Sequence, residues 1–258
     1  MTGRVTLVGG GPGREDLLTL AAVRALEAAD VVLYDRLAPH EGLGRLAPTA
    51  ELIDVGKRPG HHAIPQHEIE QLLVEHALAG RHAVRLKGGD PYVLGRGGEE
   101  VLACHRAGVP VEVIPGVTSA ISVPGAAGIP LTHRGMSHLF TVVSGHAPLT
   151  PSELEHLAGL GGTIVVLMGV NTLPALTAGL ARFGMSPGMP VAIVERGFRA
   201  DQRTTIGDLA DIVFAAGRAG VTSPAVVVIG EVVRLAHDGD ASAAELMERA
   251  AGFAVVAS

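Results

Sequence analysis

Short apolar segments that end in glycine or charged residues recur through the first half of this chain, with longer amphipathic segments between them. Alternation of this kind is typical of βαβ units, in which crossover helices join parallel strands. The predicted strands are 5–8, 31–34, 51–55, 83–86 and 111–114, and the predicted helices are 16–28, 66–79, 99–105 and 118–127. We therefore expect a mostly parallel sheet, with ligand-binding loops beyond the carboxyl ends of its strands.

The pattern changes near residue 129, and a second set of elements follows. Its predicted strands are 139–143, 163–168, 191–194, 204–206 and 225–229, and its predicted helices are 151–157, 173–183 and 208–216. The short polar loop between 191–194 and 204–206 predicts an antiparallel hairpin, so this sheet should be mixed. The sequence thus predicts an α/β protein with domains at 1–134 and 135–237, followed by an alanine-rich tail at 238–258.

Composition limits the class of protein. Of 258 residues 47% are hydrophobic and only 3% aromatic, which predicts a folded, aliphatic core. The net charge of −6 argues against a nucleic-acid binder, although a local cationic cluster could still hold a polyanion. One cysteine allows no internal disulfide. The chain shows no signal peptide and no apolar run near the ~20 residues of a membrane helix, so we expect a soluble, cytoplasmic protein.

The segment RLKGGDPYVLGRGGEE, residues 85–100, combines a strand end, several glycines and six charges. Glycine lets a backbone approach a ligand closely, so Asp90 in this loop is a candidate to bind a ligand hydroxyl or amine. Arg96 lies between two glycines and is suited to a carboxylate. Glu100 falls in a first helical turn, where a carboxylate is favoured by the helix dipole, and is interpreted as structural.

The glycine loop at 9–13 follows a strand and precedes a helix, as a dinucleotide fingerprint does. Arg14 occupies the third glycine position, and Pro12 lacks the N–H that a pyrophosphate would need. These two residues disfavour NAD or FAD and leave a ligand loop or a tight structural turn. Asp35, at the end of the second strand, could bind a ribose, act as a base or cap a helix.

Two further segments carry candidate groups. His133 has a side chain suited to proton transfer and Arg134 one suited to carboxylates, unless both belong to a solvated linker. Thr118 either caps a helix or contacts a ligand from the cap position. Residues 61 and 62 are both histidine, and the sequence offers no convincing third metal ligand. A surface loop is therefore favoured over a metal site at this position.

Taken together, these segments resemble the tetrapyrrole methylase family over residues 5–235. The resemblance rests on VGGGPG at 8–13, LYDRL at 33–37, GKR at 56–58, RLKGGDPYVLGRGGEE at 85–100, PGVTSA at 115–120, GIPLTHR at 128–134 and SPAVVVIGEVV at 223–233. It implies a homodimer whose two α/β domains hold S-adenosylmethionine in the cleft between them. It also implies methylation of uroporphyrinogen III at C2 and C7, giving precorrin-2 by way of precorrin-1 and releasing S-adenosylhomocysteine, with no metal, nucleic acid or membrane involved.

The resemblance carries roles to individual positions. Contacts to the methyl donor fall on Pro12, Gly88, Gly89, Asp90, Val93, Thr118, Ser119, Met168, Gly197 and Ala225. Contacts to the substrate fall on Lys57, Arg58, Leu94, Arg96, His133 and Arg134. The catalytic set is Asp35, Arg96, Glu99 and Arg134, and Asp35, Glu99 or Arg96 would act as the base or assist it. The chain departs from the family at Arg14, where aspartate is usual, and at Leu94, where phenylalanine is frequent.

Three other functions remain open from the sequence. One is a methylase of the same fold that acts on a later precorrin. A second is a dinucleotide-dependent oxidoreductase, against which Arg14 counts. The third is a protein that binds a tetrapyrrole or S-adenosylmethionine without turning it over.

Overall fold

The computed structural model describes residues 2–56 and 64–236. The chain divides into two compact units, residues 1–119 and 120–258, each built around a five-stranded sheet. The domain boundary expected after residue 134 stays a prediction. Within the described ranges, no helix combines the length and the apolar character needed to cross a membrane.

The sheet of the first unit is entirely parallel, with strand order β3-β2-β4-β1-β5. Its strands are β1 (Arg4–Gly9), β2 (Val31–Tyr34), β3 (Glu51–Asp54), β4 (His82–Lys87) and β5 (Val111–Ile114). The helices between and after them are α1 (Leu20–Glu27), α2 (Leu43–Leu46), α3 (Gln66–Leu78) and α4 (Gly97–Arg106), and α5 (Ser119–Ala126) begins at the last residue of this unit and otherwise belongs to the second. The carboxyl ends of β1, β2 and β4 therefore meet at one edge of the sheet, as the alternating sequence predicts.

Strand β4 has apolar residues on both faces, because helices cover both sides of a parallel sheet. Ala83 packs into the cluster formed with α3 and α4, whereas Val84 and Leu86 pack into the cluster formed with α1. Successive side chains of a strand point to opposite faces. Arg85 and Lys87 consequently share the face of Ala83, and both are buried.

The sheet of the second unit is mixed, with strand order β6-β7-β10-β8-β9. Its strands are β6 (Phe140–Ser144), β7 (Thr163–Leu167), β8 (Pro190–Glu195), β9 (Arg203–Asp208) and β10 (Ala225–Ile229), and its further helices are α6 (Pro151–Leu160), α7 (Leu173–Arg182) and α8 (Ile212–Ala219). Strands β6 and β7 pair in parallel, while the predicted hairpin, β8 with β9, is antiparallel. One face packs on α6, α7 and α8, and the other packs on residues of α5.

All ten predicted strands are present, and the differences lie at their ends and in the helices. The predicted helix 16–28 is interrupted: a short 3-10 turn ends at Leu17, and α1 begins after Thr19, whose hydroxyl oxygen accepts a hydrogen bond from the Ala22 amide. Strand β9 continues to Asp208, so the helix predicted from residue 208 starts only at Ile212. Strand β7 ends one residue before Met168. The predicted tail at 238–258 lies outside the described residues.

Candidate active site

Glycines bring three loops of the first unit into backbone contact at the carboxyl edge of its sheet. Gly11 and Gly89 pair with each other: the Gly89 amide donates to the Gly11 carbonyl at 2.7 Å, and the Gly11 amide donates to the Gly89 carbonyl at 3.1 Å. A Cβ on Gly9 would lie 2.3 Å from the nitrogen of Gly116. A side chain at Gly9 would push the loops after β4 and β5 away from the end of β1, so this glycine is needed for the close packing of the loops as well as for ligand access.

The carboxylate of Asp90 fastens two of these loops together. Its Oδ1 accepts a hydrogen bond from the amide of Tyr92 at 2.8 Å, and its Oδ2 accepts one from the amide of Gly116 at 3.1 Å. A Cβ on Gly88 would meet the Cβ of Leu37 at 2.8 Å. Both residues thus shape the loop after β4, and their contact with a methyl donor stays a prediction.

Arg96 forms a bidentate ion pair with Glu99, one turn into the helix that it precedes. Its Nε and Nη2 donate to the two carboxylate oxygens at 2.8 Å and 2.7 Å, and both side chains are more than half exposed. Glu99 raises the pKa of Arg96, and Arg96 lowers the pKa of Glu99 through the same hydrogen bonds. The pair therefore stays ionised, and the carboxylate that Arg96 was expected to bind is, in this structure, the chain's own.

A cluster of buried charges lies beneath this edge of the sheet. Lys87 and Arg85 both donate to Oε1 of Glu100, at 2.9 Å and 3.1 Å, and Arg85 also donates to Oδ1 of Asp35 at 2.8 Å. Gln66 donates to the same Glu100 oxygen at 3.2 Å. Among the residues that the structure places, Oε2 of Glu100 is buried without a hydrogen-bond partner.

The cluster sets the ionisation of its members. Burial lowers the pKa of Lys87, and the neighbouring cation Arg85 adds to that effect. Burial also opposes the charge of Arg85, but Asp35 and Glu100 outweigh it and raise the pKa of Arg85. Burial raises the pKa of Cys104 to about 11, so this thiol is unsuited to act as a nucleophile.

Sequence reasoning interpreted Glu100 as a helix-dipole residue and overlooked this cluster. A signal was available, because Arg85 and Lys87 stand two residues apart in an otherwise apolar strand. That spacing places two cations on one buried face, where each needs a carboxylate partner.

Strained backbone occurs at three predicted site residues and on both sides of a fourth. Over residues 2–56 and 64–236, the non-glycine residues with positive φ are Leu94, Arg96, Met168, Arg196 and Phe198. Three of these five are predicted site residues, and the other two flank Gly197. Such conformations cost on the order of 1–3 kcal/mol each and tend to cluster at functional sites.

In the second unit, Met168 directly follows β7 and is 47% exposed, so it is not the core residue that a strand-end methionine usually is. Gly197 is buried against α5, where a Cβ would come within 2.7 Å of the Val123 methyl groups. Ala225 opens β10 and pairs in register with Glu195 of β8. Their contacts with a donor stay predictions.

Glu195 is a second buried carboxylate that sequence reasoning missed. It accepts hydrogen bonds from Arg203 Nε at 2.7 Å, Arg196 Nη1 at 3.0 Å and the amide of Thr222 at 2.9 Å. Burial alone would raise its pKa, but the Thr222 amide and the two arginines hold the pKa below its ordinary value. Glu195 thereby fastens the turn around Gly197 to the segment that enters β10.

The remaining predicted residues lie in several loops and helix ends. Thr118 and Ser119 lie at the amino end of α5, and Pro12 and Val93 lie in the loops after β1 and β4. His133 pairs with Ser137 in a tight turn, and its buried Nδ1 has no partner within the described chain, while Arg134 is exposed. Lys57, Arg58 and the histidines at 61–62 lie outside the described residues.

Arg14, at the third glycine position of the first loop, is paired on the surface. Its Nε donates to Oδ1 of Asp16 at 2.8 Å, and Asp16 raises the pKa of Arg14 through that hydrogen bond. In the described ranges, no three His, Cys, Asp or Glu side chains are grouped so that they could hold a metal ion.

Comparison with known proteins identifies related sequences. The family model described as Tetrapyrrole (Corrin/Porphyrin) Methylases matches residues 4–213. The chain is 48% identical over 240 residues to the S-adenosyl-L-methionine-dependent uroporphyrinogen III methyltransferase of Methanosarcina barkeri, covering 92% of this chain and 94% of that protein. It is 46% identical to a siroheme synthase of Gluconacetobacter diazotrophicus, but spans only 50% of that longer protein.

Solved structures agree with this relationship. A uroporphyrin-III C-methyl transferase of Thermus thermophilus, complexed with S-adenyl homocysteine, matches with a TM-score of 0.76 and 47% identity, over 90% of this chain and 100% of that chain. A cobalt precorrin-4 methyltransferase matches with a TM-score of 0.78 at 26% identity, over 89% of this chain and 95% of that chain.

Proposed function

This chain belongs to the tetrapyrrole methylase family, and on that premise we propose that it transfers methyl groups from S-adenosylmethionine to C2 and C7 of uroporphyrinogen III. The products are precorrin-2, formed by way of precorrin-1, and S-adenosylhomocysteine. The observation that carries the proposal is the 48% identity to a relative named for this donor and this substrate, in an alignment that covers 94% of that relative.

The loops of the first unit suit a bound nucleoside. Gly89 takes a φ of +67°, and a Cβ there would stand 3.7 Å from the nitrogen of Ser119, so the missing side chain keeps the amino end of α5 open beside it. We assign Pro12, Gly88, Gly89, Asp90, Val93, Thr118 and Ser119 to the donor, together with Met168, Gly197 and Ala225 of the second unit. The strained turns at Met168 and around Gly197 support that assignment.

The donor supplies an activated methyl group, because its sulfur is a sulfonium. A pyrrole carbon attacks that methyl; the new C–C bond forms as the C–S bond breaks, and the bonding pair returns to sulfur. A proton then leaves the methylated macrocycle. Since the donor is already activated, holding the two partners in line contributes much of the acceleration.

The substrate is an octacarboxylate, and a chain of net charge −6 needs local cations to bind it. We assign this role to Arg96, His133 and Arg134, to Lys57 and Arg58, and to Leu94 as an apolar contact. Arg96 is exposed and already arranged to bind a carboxylate in a bidentate manner, so a substrate carboxylate would replace Glu99 as its partner.

Of the three candidate bases, Asp35 is the best supported. Arg96 is a protonated guanidinium and has no proton-accepting atom, and the exposed Glu99 is released when a substrate carboxylate takes its place, whereas Arg85 continues to hold Asp35. The side chain of Asp35 is 31% exposed at the edge of the sheet, and its Oδ1 is held by Arg85. A proton leaving the macrocycle would therefore pass to Asp35.

The proposal also includes the assembly, a homodimer, which the family resemblance implies, and the compartment, the cytoplasm, which the sequence predicts. Light scattering on the purified protein would measure the first, and fractionation of the cells that make it would measure the second.

The experiment that tests the function is anaerobic incubation of the protein with uroporphyrinogen III and S-adenosylmethionine, followed by mass spectrometry. We expect two methyl groups to be added by the wild type and none by Arg96→Ala. Arg234→Ala is the matched control, because Arg234 forms an exposed pair with Glu231 at the same three-residue spacing, and this variant should retain full activity. No methyl gain by a wild type that binds S-adenosylhomocysteine would contradict the proposal and favour a later precorrin as substrate.

A further inference from the structure

The guanidinium of Arg85 donates four hydrogen bonds, using all three of its nitrogens. Its Nε donates to Glu100 at 3.1 Å and its Nη2 to Asp35 at 2.8 Å. Its Nη1 donates to the carbonyl oxygens of Leu33 and Leu86, at 3.4 Å and 3.1 Å. Arg85 is 2% exposed, so the guanidinium itself is shielded from bulk water, while the Asp35 side chain that it binds is 31% exposed.

A buried charge network of this kind is an expensive way to fill a core. Removing ions from water costs several kcal/mol each, and well-packed apolar residues of similar volume are often as stabilising or more so. The same face of β4 carries Ala83 in an apolar cluster, so an apolar solution was available to the strand. What the network supplies instead is position, because a planar guanidinium presents its donors in fixed directions and so determines where Asp35 and Glu100 accept them.

Glu100 anchors the network from the opposite side. Its Oε1 accepts hydrogen bonds from Arg85, Lys87 and Gln66, and its side chain is fully buried. Donors on β4 and α3 thus converge on one oxygen at the start of α4. Arg85 is held on its Nε side and presents Nη2 to Asp35.

Asp35 is fixed by β4 through both its backbone and its side chain. Its amide donates to the carbonyl of Leu86 at 3.1 Å, and its Oδ1 accepts from Arg85. Within residues 2–56 and 64–236, no hydrogen bond to Oδ2 of Asp35 is present. Among the described residues, one carboxylate oxygen of Asp35 therefore has a hydrogen-bond donor and the other has none.

We propose that Arg85 is a positioning residue that aims the carboxylate of Asp35 at the substrate, with Glu100 as its anchor. The inference rests on the proposed function and adds a residue that never touches the substrate. In the step concerned, a C–H bond next to the methylated ring breaks, its electron pair forms a C=C bond that neutralises the iminium nitrogen left by the methylation, and the proton goes to Oδ2 of Asp35. A misdirected carboxylate would slow this step without weakening donor binding.

The test begins with Arg85→Lys, which keeps the charge but cannot reach Asp35 and Glu100 with separate donors of a planar group. We expect kcat to fall on the order of 10- to 100-fold, as small misplacements of catalytic groups do, with the Kd of S-adenosylhomocysteine unchanged. Arg81→Lys is the matched control. Arg81 precedes the same strand at its other end, where it pairs with the exposed Glu51 at 2.7 Å, and that exchange should leave kcat unchanged.

A double-mutant cycle separates positioning from packing. If Arg85 acts through Asp35, Arg85→Lys will not lower kcat further in an Asp35→Asn background. If Arg85→Lys lowers kcat by the same factor in both backgrounds, Arg85 has a general structural role and the inference is wrong. Unchanged kcat in Asp35→Asn, or in a folded Arg85→Lys variant, overturns it as well.

Glu100→Gln provides a second route should Arg85→Lys not fold, because it keeps the size of the side chain while removing its charge. It should lower kcat in the wild type and not in the Asp35→Asn background, and equal losses in both would again overturn the inference. All factors are measured relative to wild-type turnover of uroporphyrinogen III. Absence of that turnover contradicts the proposed function, whereas an active wild type with an additive cycle contradicts only the role of Arg85.

Discussion

At the scale of single residues, Arg96 combines a side chain that forms an ion pair with a backbone conformation that is unfavourable for any residue with a Cβ. Its side chain forms the Glu99 pair, and its backbone takes a φ of +60°, a conformation that glycine adopts far more easily than other residues. The neighbouring position 94 is strained in the same way. Retaining an arginine where glycine would be more stable indicates that the guanidinium is needed for something other than the fold.

This strain can be measured by comparing Arg96→Gly with Arg96→Ala. Both remove the guanidinium, so both should abolish methyl transfer. Arg96→Gly should nevertheless be more stable than Arg96→Ala by about 1 kcal/mol, because only alanine retains a Cβ in the left-handed region. Urea unfolding measures the difference. Equal stability of the two variants would mean that residue 96 does not keep this conformation in solution.

At the scale of elements, β8 ends in a carboxylate that organises the turn following it. Glu195 is buried among Arg196, Arg203 and the Thr222 amide, and the amide of Arg196 itself donates to the carbonyl of Pro224 at 2.9 Å. The turn that carries Gly197 and the first residues of β10 are therefore held by one group. Glu195 at the end of β8 thus holds in place the turn whose Gly197 is predicted to contact S-adenosylmethionine.

Replacing Glu195 by glutamine should weaken both stability and donor binding. The loss of unfolding free energy should be about 2 kcal/mol near neutral pH, because the Thr222 amide and two partly exposed arginines lose a charged hydrogen-bond acceptor. The pKa of Glu195 in the folded protein lies below its ordinary value. The ionised carboxylate therefore contributes its full share of the unfolding free energy above the ordinary pKa, and this share is lost as the pH falls through the folded pKa. The difference in unfolding free energy between the wild type and Glu195→Gln should therefore become smaller at acid pH.

Chemical unfolding over a pH series and calorimetry with S-adenosylhomocysteine measure these two effects. Glu231→Gln is the control, because its pair with Arg234 is exposed and worth little. Unchanged affinity in a destabilised Glu195→Gln variant would limit Glu195 to a structural role.

At the scale of the whole molecule, an acidic chain is proposed to bind a polyanion. Long-range repulsion from a net charge of −6 must then be overcome by a few local cations, of which Arg96 and Arg134 are exposed. Attraction of this kind is screened by salt over about 8 Å at physiological ionic strength. The donor has no comparable charge, so its binding should respond differently.

Raising the salt concentration should therefore raise the KM for uroporphyrinogen III by several fold, while the Kd of S-adenosylhomocysteine changes little. Steady-state kinetics at increasing salt, with calorimetry alongside, measures both quantities. In Arg134→Ala the salt dependence of KM should be smaller, because one contributing cation is gone. A KM that does not respond to salt would argue against a cationic substrate site.

The sequence by itself determined the elements and their class. Short continuous apolar runs that end in glycine or charged residues predict all ten strands, the parallel first sheet and the β8–β9 hairpin, because these depend on local patterns. Its motifs also identify the family to which the chain belongs. They name Leu94, Arg96 and Met168, which the structure shows to be strained.

Only the tertiary structure decided how the charged groups pair. The carboxylates of Asp35, Glu100 and Glu195 find partners on other strands and helices, up to 50 residues away along the chain. The periodicity of a strand or helix in the sequence shows which face a side chain occupies. It does not show which side chain of another element will contact it on that face. Pairing of buried charges depends on that meeting, because each ion is tolerated inside the protein only beside its partner.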